Sequence, residues 1–430
     1  MSTSPSQHAR LMRRSLDTSA AASSLHPSAP STTDSPPGIS APIPRAEDRG
    51  GVAPSDSFST LARGAAVSQP AESAVVYCEG QFGAIDGKTA NGLVRHSERY
   101  EILSVIDSEQ AGEDTGVILE GIPNGIQVCR DLAEALMIAG EVPENFIFGL
   151  APSSGFLSKP ERKVILEAIA LGMDVVNGLH EFLTDDPEFS EASAAMNVEI
   201  HDVRKPRDKA TLRLFTGRIA EITCPVIAVL GTDCAIGKRT TATILTRALN
   251  DRGIDAVMIG TGQTGLIQGA RYGIALDAVP SQFCAGELEA TILEAFEGAN
   301  PDVIVVEGQG ALSHPAFSTS SFILRGSCPD GVVLQHAPGR TGRCDFEDMP
   351  MPTPASEINL IETFCNTTVI GLTINHENMS NGEVGSAIDQ YENELGIPST
   401  DALTRPSEHL ARMVLLAFPE LEDGRGGRLQ

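Results

Sequence analysis

Residues 226–241 read VIAVLGTDCAIGKRTT, an apolar run that breaks into a glycine-containing turn and then opens the helix-forming stretch RTTATILTRALN. A buried strand feeding a helix through such a turn gathers free backbone amides and the positive end of the helix dipole at one point, an arrangement that grips phosphate. Lys238 adds one ammonium and is the only lysine between residues 210 and 430, which argues against a surface decoration. The spelling departs from G-x-x-x-x-G-K-[ST] in two places. Thr232 stands at the first glycine position with Gly231 one place earlier, and Arg239 stands where the Mg²⁺-holding hydroxyl belongs. Thr240 and Thr241 follow it, one and two places late. The loop Gly231, Thr232, Asp233, Cys234, Ala235, Ile236, Gly237, Lys238, Arg239, Thr240 and Thr241 is therefore expected to hold a phosphorylated cofactor. The missing hydroxyl speaks less for Mg²⁺-dependent hydrolysis of a nucleoside triphosphate.

Outward from the loop the pattern repeats. Downstream lie the apolar runs DAVMIG (255–260), PDVIVVEG (301–308), DGVVLQH (330–336) and TTVIGLTINH (367–376), each followed by a helical stretch such as AGELEATILEAFEGA (285–299). Upstream lie AVVYCEG (74–80), YEILSVID (100–107), NFIFGLA (145–151), DVVNGL (174–179) and VEIHDV (198–203), with a short apolar TGVIL at 115–119. Between them KTANGLVRHS, QVCRDLAEALMIAG, KPERKVILEAIALGM and EFLTDDPEFSEASAAM read as helices. Strand–helix alternation over this length predicts α/β architecture with parallel sheets covered on both faces. Residues 204–222 are polar and basic and read as the connection, giving two domains at 73–206 and 207–420. Residues 1–72 are rich in Ser, Ala, Pro and Thr without apolar period and read as a disordered tail.

Composition narrows the partners. A formal charge of −26 over 430 residues disfavours nucleic acid and anionic membrane, and no apolar run approaches the ~20 residues of a membrane helix. Six Lys against 25 Arg, with no Trp and abundant acids, suggests a halophilic composition in which screening blunts self-repulsion. Eight cysteines without a CxxC pair predict reduced thiols in a cytoplasmic protein and no metal site. A homo-oligomer is the default expectation.

Further residues with chemical potential cluster after the strands. Glu307 ends an apolar run and His314 follows in a Gly-flanked turn with Gln309 and Ser313; a carboxylate or imidazole there is a candidate general base. The glycine-rich stretch 260–283 offers Gln263, Thr264, Arg271 and Asp277 at the carboxyl edge of the sheet, where open sheets bind ligands. His336, Arg340 and Arg343 follow the next strand, and their forked donors suit a substrate carboxylate. EGQFGAIDGKT (79–89) fails the loop spacing. His180 and Asp202 are lesser candidates at strand ends.

The Gly-to-Gly-Lys spacing is similar to that of dethiobiotin-synthetase-like P-loop proteins. In order, GLAPSSGFL, DVVNGLHEFLTDDPE, HDVRKP, GTDCAIGKRTT, GTGQTG, DAVPSQFCAGELE and VIVVEGQGALSHPA resemble one family over roughly residues 74–418. It is the D-glutamate N-acetyltransferase (DgcN) family, long catalogued as a domain of unknown function, with a Rossmann-like N-terminal half and a P-loop C-terminal half. The resemblance implies acetyl transfer from acetyl-CoA to the amine of D-glutamate in D-amino-acid catabolism, with a dehydrogenase or epimerase as functional partner. On that expectation the loop and Lys238 hold CoA phosphates, Glu307 or His314 takes the amine proton, and Gln263, Arg271 or Arg340 binds substrate. The loop spacing leaves an ATP- or GTP-dependent ligase or kinase using Mg²⁺ as the alternative.

Overall fold

Valine- and isoleucine-rich runs with no polar alternation bury both faces of a strand, and they build two parallel sheets. The computed structural model describes residues 71–152 and 155–423. The first sheet contains β1 (Glu72–Tyr77), β2 (Tyr100–Ile106), β3 (Gln127–Cys129), β4 (Asn145–Phe148), β5 (Asp174–Asn177) and β6 (Ile200–Asp202). Their spatial order is β3-β2-β1-β4-β5-β6, all parallel, the Rossmann-like order with its reversal between β1 and β4. Ala74, Val75 and Val76 are consecutive and all fully buried, as a two-sided cover requires. The cover comes from α1 (Lys88–Arg95), α2 (Thr115–Glu120), α3 (Leu132–Ala139), α4 (Lys159–Ala170) and α5 (Pro187–Met196).

Two local readings change. TGVIL is helical in α2, because Asp114 caps it by accepting from the amides of Gly116 and Val117 at 2.8 and 3.2 Å. QVC, read as the start of a helix, is instead strand β3, paired with Ser104–Ile106 before Asp131 caps α3. The expected tail, 1–72, lies outside the described residues except for 71 and 72, and Glu72 already opens β1.

The second sheet contains β7 (Val226–Gly231), β8 (Ala256–Gly260), β9 (Tyr272–Gly273), β10 (Val303–Glu307) and β11 (Gly331–His336). A small hairpin follows, β12 (Gly342–Arg343) with β13 (Phe346–Pro350), and then β14 (Thr368–Ile374) and β15 (Ser399–Asp401) rejoin the sheet. The order is β15-β14-β11-β7-β10-β8-β9, all parallel, with β7 at the centre. One face packs on α8 (Ser281–Ala299), α9 (Thr319–Ser327), α10 (Pro354–Phe364) and α11 (Asn381–Leu395) through residues such as Leu288, Ile323, Ile361 and Val384. The other packs on α6 (Lys238–Asp251) and α12 (Glu408–Ala417) through Leu245, Leu249, Leu410 and Val414. Among the described residues no helix is long and apolar enough to cross a membrane, and all eight cysteines are free.

A short helix, α7 (Gln263–Ile267), joins the halves. Ile267 is buried in the apolar core of the first sheet. Thr264 and Thr89 share a hydroxyl hydrogen bond of 2.9 Å, and Gln268 donates to the carbonyls of Gly92 and His96 at 2.7 Å each. Arg204, in the connection, binds Asp277 at 2.9 Å. These contacts set the carboxyl edges of the two sheets against each other, around α1 and α7.

Candidate functional site

The loop between β7 and α6 sits at the centre of the second sheet. Gly237 (φ 101°) and Ala235 (φ 48°) take left-handed backbone, which curls the chain before α6 begins at Lys238. Gly231, one place ahead of the usual first glycine, has its own reason. A Cβ there would stand 2.9 Å from Ile236 Cδ1 and 2.9 Å from Lys238 Cδ, so the lysine stem needs a glycine beneath it. Lys238 is buried, and its ammonium donates to the Asp233 carbonyl. Burial pulls its pKa down from the ordinary lysine value, against the pull of Cys234 and Asp233. A desolvated ammonium with one neutral partner gains strongly from an anion.

The loop is braced from neighbouring strand ends. Arg340 donates to the carbonyls of Cys234 and Ala235 at 3.0 and 2.9 Å, and pairs with Glu377 at 2.7 Å. Asn375 donates to the Ile236 carbonyl at 3.1 Å, and Cys344 N–H donates to Asp233 Oδ2 at 2.8 Å. Thr232 shares a hydrogen bond of 2.9 Å with His336, whose burial lowers its pKa to about 4 and keeps it neutral. Thr241, one of the two hydroxyls that follow Arg239, donates to Gln335 Oε1 at 2.6 Å and is spent.

Glu307 ends β10, beside β7, and is buried. Its Oε2 accepts from Thr261 N–H at 2.9 Å. Burial raises its pKa above the ordinary carboxylate range, while Arg239, the Thr261 and Gly262 amides and Lys238 pull it down. Gly265 is small because a Cβ there would meet Glu307 Oε2 at 2.6 Å. A carboxylate so placed holds a proton more readily than an exposed one and is a candidate general base.

His314 belongs to a different cluster. Its Nδ1 accepts from the amides of Ala316 and Phe317 at 3.2 Å, so Nε2 carries the proton. Nε2 and Asp233 Oδ1 lie 3.6 Å apart, both buried and without a hydrogen bond. With Cys234 they place an oxygen, a sulfur and a nitrogen within 4.8 Å of one another. In this tautomer the ring offers Asp233 a donor N–H and has no free lone pair for a metal or for a substrate proton.

The substrate candidates do not converge. Gln263 is buried at the join, against Gly178. Arg271 is exposed, lies over the Tyr272 ring at 5.2 Å, and lines a groove with His96, Thr243 and Arg247. Arg340 clamps the loop. Arg343 donates to Ser313 at 3.0 Å, His180 lies 3.7 Å from Asp277, and Asp202 is taken up by Asn177, Leu183 and Thr184. Arg239 turns away from the loop to lie against Gly92 of α1. Sequence reasoning passed over Thr89, Gly92, Arg204 and Gln335; for Gly92, a glycine inside a helical stretch was the available signal.

Comparison with known proteins fits this geometry. Residues 108–206 match the Rossmann-like N-terminal domain of DUF1611, a domain of unknown function, and residues 213–411 match its P-loop C-terminal domain. A D-glutamate N-acetyltransferase from Pseudoalteromonas is 32% identical over 289 residues, 66% of this chain and 83% of the relative. Another, from Tritonibacter scottomollicae, is 28% identical over 60% of this chain and 77% of its own length. The crystal structure of a DUF1611 family protein from Anabaena variabilis superposes with a TM-score of 0.73 at 30% identity, covering 80% of this chain and 99% of that one.

Proposed function

The chain belongs to the DUF1611 family, and we propose that it is an N-acyltransferase that moves the acetyl group of acetyl-CoA to the amine of D-glutamate. One observation carries this reading. The loop keeps a strand-to-helix turn, Gly237 and a buried Lys238, yet Arg239 fills the Mg²⁺-ligand position and Thr241 is committed to Gln335. A loop of that kind suits phosphates that are held and never cleaved, and CoA carries a pyrophosphate and a 3′-phosphate. The names borne by the two relatives support the same reaction.

On this reading Lys238 and the amides of residues 235–240 bind the CoA phosphates at the start of α6. Glu307 takes the proton that the substrate ammonium must lose before its nitrogen can attack. The amine then adds to the thioester carbonyl, the C–N bond forms, the attacking nitrogen releases its second proton to solvent, and the C–S bond breaks. The departing thiolate leaves with the proton held on Glu307, so the carboxylate is regenerated. N-acetyl-D-glutamate would then pass to a dehydrogenase or an epimerase.

Glu307 at the end of the strand beside the loop also suits a Mg²⁺-nucleotide ligase or kinase, in which it would orient the metal's water. Purified protein incubated with D-glutamate and either acetyl-CoA or Mg-ATP separates the two. Free thiol appearing only with acetyl-CoA is the expected result; ADP release requiring Mg²⁺ would replace the proposal by its rival.

A further inference from the structure

We infer that Arg239 anchors the α-carboxylate of the amino-acid acceptor, so that the residue standing in the metal-ligand position of the loop serves the substrate rather than the cofactor phosphates. The inference rests on the acyl-transfer reading for the acceptor's identity.

Four other guanidinium groups at this edge each have a protein partner. Arg340 is held by Glu377 and the loop carbonyls, and Arg204 by Asp277 and the Gly178 carbonyl. Arg343 donates from Nη2 to Ser313, although its Nη1 is buried without a hydrogen bond, and Arg271 lies over Tyr272 in the separate groove. Arg239 alone of the five has neither a hydrogen bond nor an ion pair nor a ring contact among the described residues, and it is half-buried. Its guanidinium lies against α1, where a Cβ on Gly92 would meet Nη2 at 2.6 Å and Cζ at 3.2 Å. The same Cβ would meet Thr264 Cγ2 at 3.2 Å, so the group sits at the join between the halves. Glycine at position 92 opens the space that the guanidinium fills.

A half-buried guanidinium with no protein partner among the described residues keeps its donors open at the join, and its planar fork matches a carboxylate two bonds at a time. Glu307 is the carboxylate whose charge is felt most strongly at Arg239. In an α-amino acid the amine stands one carbon from the α-carboxylate. Docking that carboxylate on Arg239 therefore presents the amine towards Glu307, the group proposed to receive its proton.

Arg239→Met and Arg239→Lys, each checked by thermal melting, test the assignment through acetyl-transfer kinetics and through calorimetric binding of D-glutamate. Arg239→Met should raise KM for D-glutamate about 10- to 100-fold, the range for losing a charge-assisted contact, and leave KM for acetyl-CoA unchanged. Arg239→Lys should recover part of the loss. Wild-type protein should prefer D-glutamate to γ-aminobutyrate, which keeps the amine and the distal carboxylate but lacks the α-carboxylate; Arg239→Met should lose most of that preference. The melting temperature of Arg239→Met should stay near that of wild type, because the side chain makes no hydrogen bond or ion pair among the described residues.

A rise in KM for acetyl-CoA with D-glutamate unaffected would assign Arg239 to a cofactor phosphate and overturn the inference. A lower melting temperature with both KM values unchanged would overturn it in favour of a structural role. Should wild-type protein bind D-glutamate yet transfer no acetyl group, the reaction assignment fails, while loss of that binding in Arg239→Met still upholds the anchor. Absence of D-glutamate binding to wild-type protein overturns it.

Discussion

Replacing Lys238 by alanine separates a phosphate-gripping loop from a merely tight turn. The ammonium is buried, its pKa is depressed by desolvation, and among the described residues its one hydrogen bond goes to the Asp233 carbonyl. In the free protein that bond to a neutral acceptor offsets only part of the desolvation cost, so the ammonium contributes little to stability. In the cofactor complex it makes a charge-assisted contact worth about 1.5–3 kcal/mol, a loss of ~10- to 150-fold in affinity when removed. Lys238→Met keeps the stem that packs over Gly231 and isolates the charge from the packing. Isothermal titration with CoA at low and high salt should give the full loss for both variants, and a weaker salt dependence than wild type. Melting temperatures of Lys238→Met should stay near wild type. CoA affinities within about twofold of wild type for both variants would refute the reasoning.

The other predictions follow from neighbouring contacts. The raised pKa of Glu307 means that it becomes a competent base only above the ordinary carboxylate range, so activity should climb through an acidic limb that Glu307→Gln abolishes along with most of kcat. The same raised value means that the folded state holds the proton longer. Stability from this group is present at low pH and lost as pH rises through the folded pKa, and Glu307→Gln should melt higher than wild type at alkaline pH. His336 works in the opposite sense: its pKa falls from 6.5 to about 4, so stability should drain away as pH is lowered through that interval, and less so in His336→Gln. Gly92→Ala would gain roughly 1 kcal/mol of helix propensity but must push the Arg239 tip aside, so KM for the acceptor should rise with little change in melting temperature. In Gly308→Ala the new Cβ would stand 2.0 Å from the Val229 carbonyl of β7, where backbone must move, and the expected loss is about 3 kcal/mol or more by chemical denaturation.

Strand–turn–helix grammar made much of this architecture legible. Runs such as VIAVLG and PDVIVVEG have no polar alternation, and burial on both faces leaves them no place other than the interior of a parallel sheet. Short pieces escaped it. QVC pairs as β3 although its neighbours have a helical period, and the three residues of β15 carry no pattern of their own. The positions of the loop and of Glu307 in the fold could be read because the loop follows β7 directly and Glu307 ends β10. The fate of two arginines could not, since it is decided by residues far away in sequence: Glu377 and the loop carbonyls engage Arg340, and Gly92 makes room for Arg239. The proton position on His314 likewise depends on two amides that close a turn behind it.

The most direct test of the account is a stoichiometric assay with purified protein, acetyl-CoA and D-glutamate in the presence of EDTA and without nucleotide. The account predicts one free thiol released for each N-acetyl-D-glutamate formed, undiminished by the chelator. Turnover that appears only when Mg²⁺ and ATP or GTP are supplied, with nucleoside diphosphate as product, would contradict it.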